Sequence, residues 1–147
     1  MKKIAFCLLA CWTTLQIMAA EDQWMTDLPK AQAKAKAEKK LVLMDFTGSD
    51  WCPPCKALKK NVLSSPEFEK FARDNLVLVE VDFPRSKPQT GELKKANEKL
   101  SEKFKIEGFP TVIVLDADGK QLSKDVGYGG EKTKEFIAKL EKLKNKS

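Results

Sequence analysis

Cys52 and Cys55 stand two residues apart in DWCPPCK, and the other two of the chain's four cysteines, Cys7 and Cys11, fall within the first twenty residues. Such a pair can close a disulfide, ligate a metal or run a redox cycle. As a staple it is weak, because a cross-link acts by restricting the unfolded chain and so short a loop restricts little. As a metal site it is incomplete. Thiolate sites commonly use four ligands, and a chain without histidine would need a second molecule to finish the shell for copper or zinc. Exchange chemistry asks for less: one thiolate attacks a disulfide, and a second, close by, displaces it from the mixed disulfide. The redox reading is therefore preferred.

The two sulfurs are expected to differ. Cys52, at the start of a helix, faces free N–H groups and the positive end of the helix dipole, which favours its thiolate, with Lys56 adding at longer range. It is the expected nucleophile. Cys55, one turn further in, is expected to be the more buried, resolving thiol. Pro53 and Pro54 cost little in a first turn, where N–H groups lack helical partners, and they stiffen the ring. Asp45 interrupts the apolar run LVLMDF seven residues before Cys52. A buried acid needs a partner or a proton to handle. It is read as the acceptor of the Cys55 proton, its pKa raised by burial; the alternative is a solvent-facing aspartate at a strand end. Pro110, in EGFPT, is either an ordinary strand-entry residue or a cis proline that presents the Phe109 backbone beside Cys52.

The elements that must position these residues follow from pattern. DQWMTDLPKAQAKAKAEKK predicts a surface helix capped by Thr26 or Asp27, and LVLMDF a strand buried on both faces. From Cys52 the pattern turns helical, breaks at Ser64-Ser65-Pro66 and resumes through Phe68 and Phe71. LVLVEVDF predicts a second strand, FPRSKPQTGE a loop, and residues 91–104 an exposed helix with Leu93, Ala96, Leu100 and Phe104 on one stripe. TVIVLDADGKQLSKDVG predicts two strands joined at Asp118-Gly119. A last amphipathic helix turns Phe136, Ile137, Leu140 and Leu143 inward. The helical crossovers predict parallel neighbours for the second and third strands, and the short turn an antiparallel edge pair. The fold class is α/β, with a mixed sheet between helical layers.

Residues 1–20 open with Lys2 and Lys3 before an apolar run and read as a secretory signal cleaved after Ala19 or Ala20, leaving 21–147 as one domain. An uncleaved anchor, or a lipid on Cys11 in LLAC, is the alternative. Removing those twenty residues lowers the net charge from +6 to +4, with lysines and acids interspersed. That mild excess describes a solvated surface and not a nucleic-acid binder.

Taken together, MDFTGSDWCPPCK, EVDF, EGFPTVIVLDADGK and Gly127 resemble the thioredoxin superfamily over residues 24–145. The added first helix, the broken helix after the cysteines and the loop after the second strand look most like secreted relatives of the C-terminal domain of bacterial thiol:disulfide interchange proteins. The resemblance implies a three-layer sandwich with a four-to-five-stranded sheet, a buried Asp45, and a cis Pro110. It implies a thiol-disulfide oxidoreductase, most simply a monomeric protein-disulfide reductase in a bacterial periplasm. Its substrates would be protein disulfides, held by Trp51, Pro53, Pro54, Phe109 and Pro110. A membrane thiol-disulfide reductase would supply electrons. No cofactor is implied beyond the redox-active Cys52–Cys55 disulfide. The sequence departs from cytoplasmic thioredoxins in its Pro-Pro dipeptide and in Phe109, which leaves potential and substrate preference to be measured. Oxidase, isomerase, thiolate metal carrier and chaperone-like binder are the rival readings.

Overall fold

Asp27 opens the first helix. Its carboxylate accepts from the Lys30 N–H at 3.0 Å, Pro29 occupies the first turn, and α1 (Leu28–Glu38) buries Leu28, Ala31 and Ala35 on one stripe. The computed structural model describes residues 23–147; the expected signal, its cleavage point and Cys11 lie outside them. After β1 (Trp24–Met25) and α1 come β2 (Leu41–Thr47), α2 (Pro53–Leu58), a π-helical turn (Lys59–Leu63) and α3 (Pro66–Asn75). Then follow β3 (Leu76–Asp82), α4 (Gly91–Lys103), β4 (Thr111–Leu115), β5 (Gln121–Val126) and α5 (Thr133–Lys144). Ser65 caps α3 and Thr90 caps α4, each through its hydroxyl.

The five strands form one mixed sheet in the order β1-β3-β2-β4-β5. Strand β3 is parallel to both β1 and β2, whereas β4 is antiparallel to both β2 and β5. The expectation that the third predicted strand runs parallel to its neighbour is thus corrected. A 13-residue α4 spans about 20 Å at 1.5 Å per residue, and with loops at both its ends it can deliver the chain to either end of the sheet.

Two further local expectations change. Trp24 and Met25, ahead of the expected cap, pair with Leu78 and Val79 as an edge strand that the pattern did not predict. In α4 the buried position is Asn97, whose amide donates to the Asp82 carbonyl at 2.9 Å, while Ala96 is exposed. A polar side chain closing the end of β3 outcompetes an alanine that would contribute little burial.

Strand alternation sorts the core into two layers. Leu41 and Leu43 pack with Leu58, Val62, Phe68, Phe136 and Leu140 beneath α2, α3 and α5. Val42, Met44 and Phe46 pack with Leu28, Ala31, Ala35 and Ile113 beneath α1 and α4. Each of the Val, Leu, Ile, Phe and Met side chains among them contributes about 1.5–3 kcal/mol of burial. Asp45 follows Leu41 and Leu43 in the alternation, and therefore faces α2.

Candidate active site

Cys52 is the N-cap of α2. Its backbone is extended, and its Sγ accepts the Cys55 N–H at 3.4 Å. Pro53 and Pro54 have no N–H to offer, so Cys55 supplies the first donor of the turn, and it points at the sulfur. The two cysteines are disulfide-bonded with Cα atoms 5.3 Å apart. Cys52 is 3% exposed and Cys55 2%, so burial does not separate them in this oxidised form as the sequence predicted.

Asp45 is buried in mid-strand, with its Oδ1 lacking a hydrogen-bond partner. It is paired in register with Glu80 of β3 on one side and Val112 of β4 on the other. Burial above all pushes its carboxyl up to about 7; the Glu80 charge adds to the rise, Lys59 opposes it, and Asp82 adds a little more. Lys59, at the start of the π-helical turn, ion-pairs with Glu80 at 3.1 Å. A cleft of about 200 Å³ lined by Thr47, Ser49, Cys55, Lys56, Lys59 and Lys60 leads from solvent to Cys55.

Trp51, next to Cys52 in the chain, packs against Phe109, their rings edge to face at 5.8 Å. The Phe109–Pro110 bond is cis, Pro110 is buried, and its carbonyl accepts the Gly127 N–H at 2.7 Å. Pro53 and Pro54 are exposed. The structure thus brings Trp51, Cys52, Cys55, Phe109 and Asp45 into one region around the start of α2.

Sequence reasoning predicted the loop after β3 but missed its contacts with Trp51 and Asp50. The Trp51 indole N–H donates to the Phe83 carbonyl at 2.8 Å, the Phe83 ring lies 5.3 Å from Phe109, and the Arg85 guanidinium stacks 3.9 Å above Trp51. Asp50 fixes that loop by accepting the backbone N–H groups of Arg85, Ser86 and Lys87 at 2.6–3.1 Å. These bonds, Arg85's first and Ser86's next, hold its carboxyl below the usual range. A signal existed: Arg85 is one of two arginines in a lysine-rich chain, and arginine is the cation that stacks on aromatic faces.

Chemically, the arrangement offers two sulfurs within bonding distance, a donor aimed at one of them, and a buried acid on the sheet below. Among the described residues no cluster of three or more His, Cys, Asp or Glu side chains is placed to hold a metal ion. No helix among them is long and apolar enough to cross a membrane.

Comparison with known proteins places these features in context. The family model of the thioredoxin-like domain matches residues 28–144. The disulfide bond reductase DsbH of Chlamydia pneumoniae is 40% identical over 111 residues, covering 76% of this chain and 66% of that protein. The solved structure of a DsbH oxidoreductase superposes with a TM-score of 0.77 at 33% identity, covering 92% of each chain. The reduced C-terminal domain of Neisseria meningitidis DsbD gives 0.60 at 26% identity, over 79% of this chain and 93% of that domain. The chain spans just under two thirds of the chlamydial reductase and 31% or less of the curated relatives that follow it.

Proposed function

The chain belongs to the thioredoxin-like family as a thiol-disulfide oxidoreductase, and from that premise we propose that it reduces protein disulfides outside the cytoplasm. The observation that carries exchange chemistry at this site is Asp45: its carboxyl, pushed by burial up to about 7 on the sheet face beneath α2, suits a site that must take up and return a proton each cycle near neutral pH, in either direction of exchange.

The cycle begins with the dithiol form. The Cys52 thiolate, stabilised by the Cys55 N–H and the helix N-terminus, attacks one sulfur of the substrate disulfide. A mixed disulfide forms, and the other substrate sulfur leaves as a thiolate that takes a proton from water. Cys55 then passes its proton to the Asp45 carboxylate and attacks Cys52 Sγ. The second substrate thiolate departs and recovers that proton, directly or through water. Two electrons have moved to the substrate, and the Cys52–Cys55 disulfide remains. Trp51, Pro53, Pro54, Phe109 and Pro110 wall the groove in which an extended substrate segment lies.

The disulfide must then be reduced again, and outside the cytoplasm the dithiol donor is a membrane thiol-disulfide reductase. The basic-then-apolar character of residues 1–20 supports export, and the name of the chlamydial relative, disulfide bond reductase, supports the direction. The protein works as a monomer in this reading. The test is turnover: purified protein with a small dithiol as electron source reduces a protein disulfide faster than the dithiol alone. An equal rate would rule out the reading.

A further inference from the structure

Three cationic side chains converge on the tripeptide just ahead of Cys52. The Arg85 guanidinium lies 3.9 Å over the Trp51 ring, the Lys87 ammonium donates to Ser49 Oγ at 3.1 Å, and the Lys56 ammonium donates to the Asp50 carbonyl at 2.9 Å. All three residues are exposed. The neighbouring acids are already engaged with N–H and O–H donors. Asp50 holds the backbone of residues 85–87, and Asp82 accepts the Ser49 N–H and hydroxyl. Among the described residues Arg85, Lys87 and Lys56 form no ion pair. The carboxylates thus fix the loop while its cations face solvent.

Other exposed acids lie on different elements: Glu107 is two residues before Phe109, and Asp125 is on β5 as the register partner of Val112. Arg85 is also pre-ordered. Stacking on an indole holds a guanidinium in place and leaves its edge donors free, so a carboxylate meets a fork whose entropy is already spent.

We infer that Arg85, with Lys87 and Lys56, forms a carboxylate-binding subsite on the Trp51 side of the groove, which selects disulfide segments carrying Asp or Glu close to the reacting cysteine. The subsite builds on the reductase reading by giving that reaction a substrate class. It acts at encounter and in the mixed disulfide, where rim charges govern association rate and salt dependence.

The test separates recognition from chemistry. Two short peptides are made with serine in place of cysteine, one flanked by Glu and one by Lys, and titrated onto the oxidised protein while the Trp51 indole N–H resonance is followed. The Glu peptide binds about five-fold more tightly at low ionic strength, as one or two exposed ion pairs allow, and the difference shrinks at about 0.5 M salt. Arg85→Glu reverses the order, and Arg85→Lys keeps only the smaller, salt-sensitive part of the preference, because an ammonium offers no planar fork. Lys87→Glu, a second exposed site, narrows it. Equal affinity for the two peptides in the wild-type protein overturns the inference, as does an unchanged preference in Arg85→Glu. Because these peptides cannot react, the result does not depend on turnover. With cysteine-containing disulfide versions, failure of the reductase reading shows as no catalysis of either peptide. Failure of the subsite shows as equal kcat/KM for both.

Discussion

The Trp51 indole lies directly against Gly48: a Cβ on that glycine would stand 2.4 Å from Trp51 Cε2 and 2.7 Å from Nε1. The ring cannot simply swing aside, because its N–H is bonded to the Phe83 carbonyl, Arg85 covers one face and Phe109 packs against it edge to face. Gly48→Ala should therefore displace the indole or the Cys52 loop. Overpacking of this kind costs about 1–3 kcal/mol, read as a lower Tm, with a drop in reductase kcat/KM larger than the loss of folded protein accounts for. An unchanged Tm and unchanged tryptophan emission would show that the ring is not held as described.

The unequal surroundings of the two sulfurs give a second prediction. Cys52 accepts an N–H from Cys55, whereas Cys55 sits one turn inside α2. Cys55→Ser should accumulate a mixed disulfide with substrate, visible as an added mass that dithiothreitol removes. Cys52→Ser should accumulate none and reduce nothing above the uncatalysed rate. If Cys52→Ser were the variant that trapped substrate, the roles would be exchanged. If it still protected unfolded chains from aggregation, binding without exchange would be the better account.

Asp45 links catalysis to stability. Its carboxyl goes from 3.8 in the unfolded chain to about 7 in the folded protein, so between those values the folded state holds a proton that the unfolded state has released. Stability then declines as pH rises from about 4 to about 7 and is level above. At about 1.4 kcal/mol per pKa unit the decline is about 4 kcal/mol at most. Asp45→Asn should remove it, leaving the variant more stable than wild type at pH 8 and similar near pH 4 in urea unfolding. The same variant should resolve mixed disulfides about ten-fold or more slowly and lose the pH dependence near 7. A wild-type stability that rises from pH 5 to 8 would contradict the buried-acid account.

The sequence carried the chemistry more legibly than the geometry around it. The CxxC between strand and helix, the apolar run around Asp45 and the caps at Asp27 and Ser65 are local signals, each decided within a few residues, and each is where the pattern put it. The antiparallel β4 and the two-residue β1 were not legible, since both depend on where a distant strand accepts hydrogen bonds. Arg85, Phe83 and Asp50 were hidden for a similar reason. Their importance arises because Asp50 bonds to backbone 35–37 residues away, and side-chain-to-backbone contacts across loops leave no periodicity.

That Asp50 clamp is itself testable. Its carboxyl is held below the usual range by the N–H groups of Arg85 and then Ser86, so the clamp should persist through mildly acidic pH and release only as pH falls through that lowered value. Asp50→Ala should speed amide exchange at Ser86 and Lys87 by about ten-fold or more while leaving β3 protected, because only the loop loses its acceptor. Exchange unchanged in the variant would mean that Trp51, through its bond to the Phe83 carbonyl, and Gln89, whose amide donates to the Asp82 carbonyl at 3.1 Å, hold the loop without it.

The reduction potential is the measurement that decides direction. A dithiol couple becomes strongly oxidising when the protein stabilises the thiolate form, as at the oxidising end near −120 mV. Here Pro53 and Pro54 remove two of the first-turn N–H groups that could stabilise a Cys52 thiolate, leaving Cys55 as the donor seen at its sulfur. Beneath the helix, Asp45, Glu80 and Asp82 present carboxyl groups on one sheet face, which opposes further negative charge on Cys55. Of the lysines lining the cleft to Cys55, Lys59 is paired with Glu80 and Lys56 is turned to the Asp50 carbonyl. The reduced form therefore gains little, and the Cys52/Cys55 couple should equilibrate near the thioredoxin value of about −270 mV. Titration against a thiol buffer of known poise checks it. A value near about −120 mV would make the protein an electron acceptor for substrate thiols, and the proposed direction would reverse.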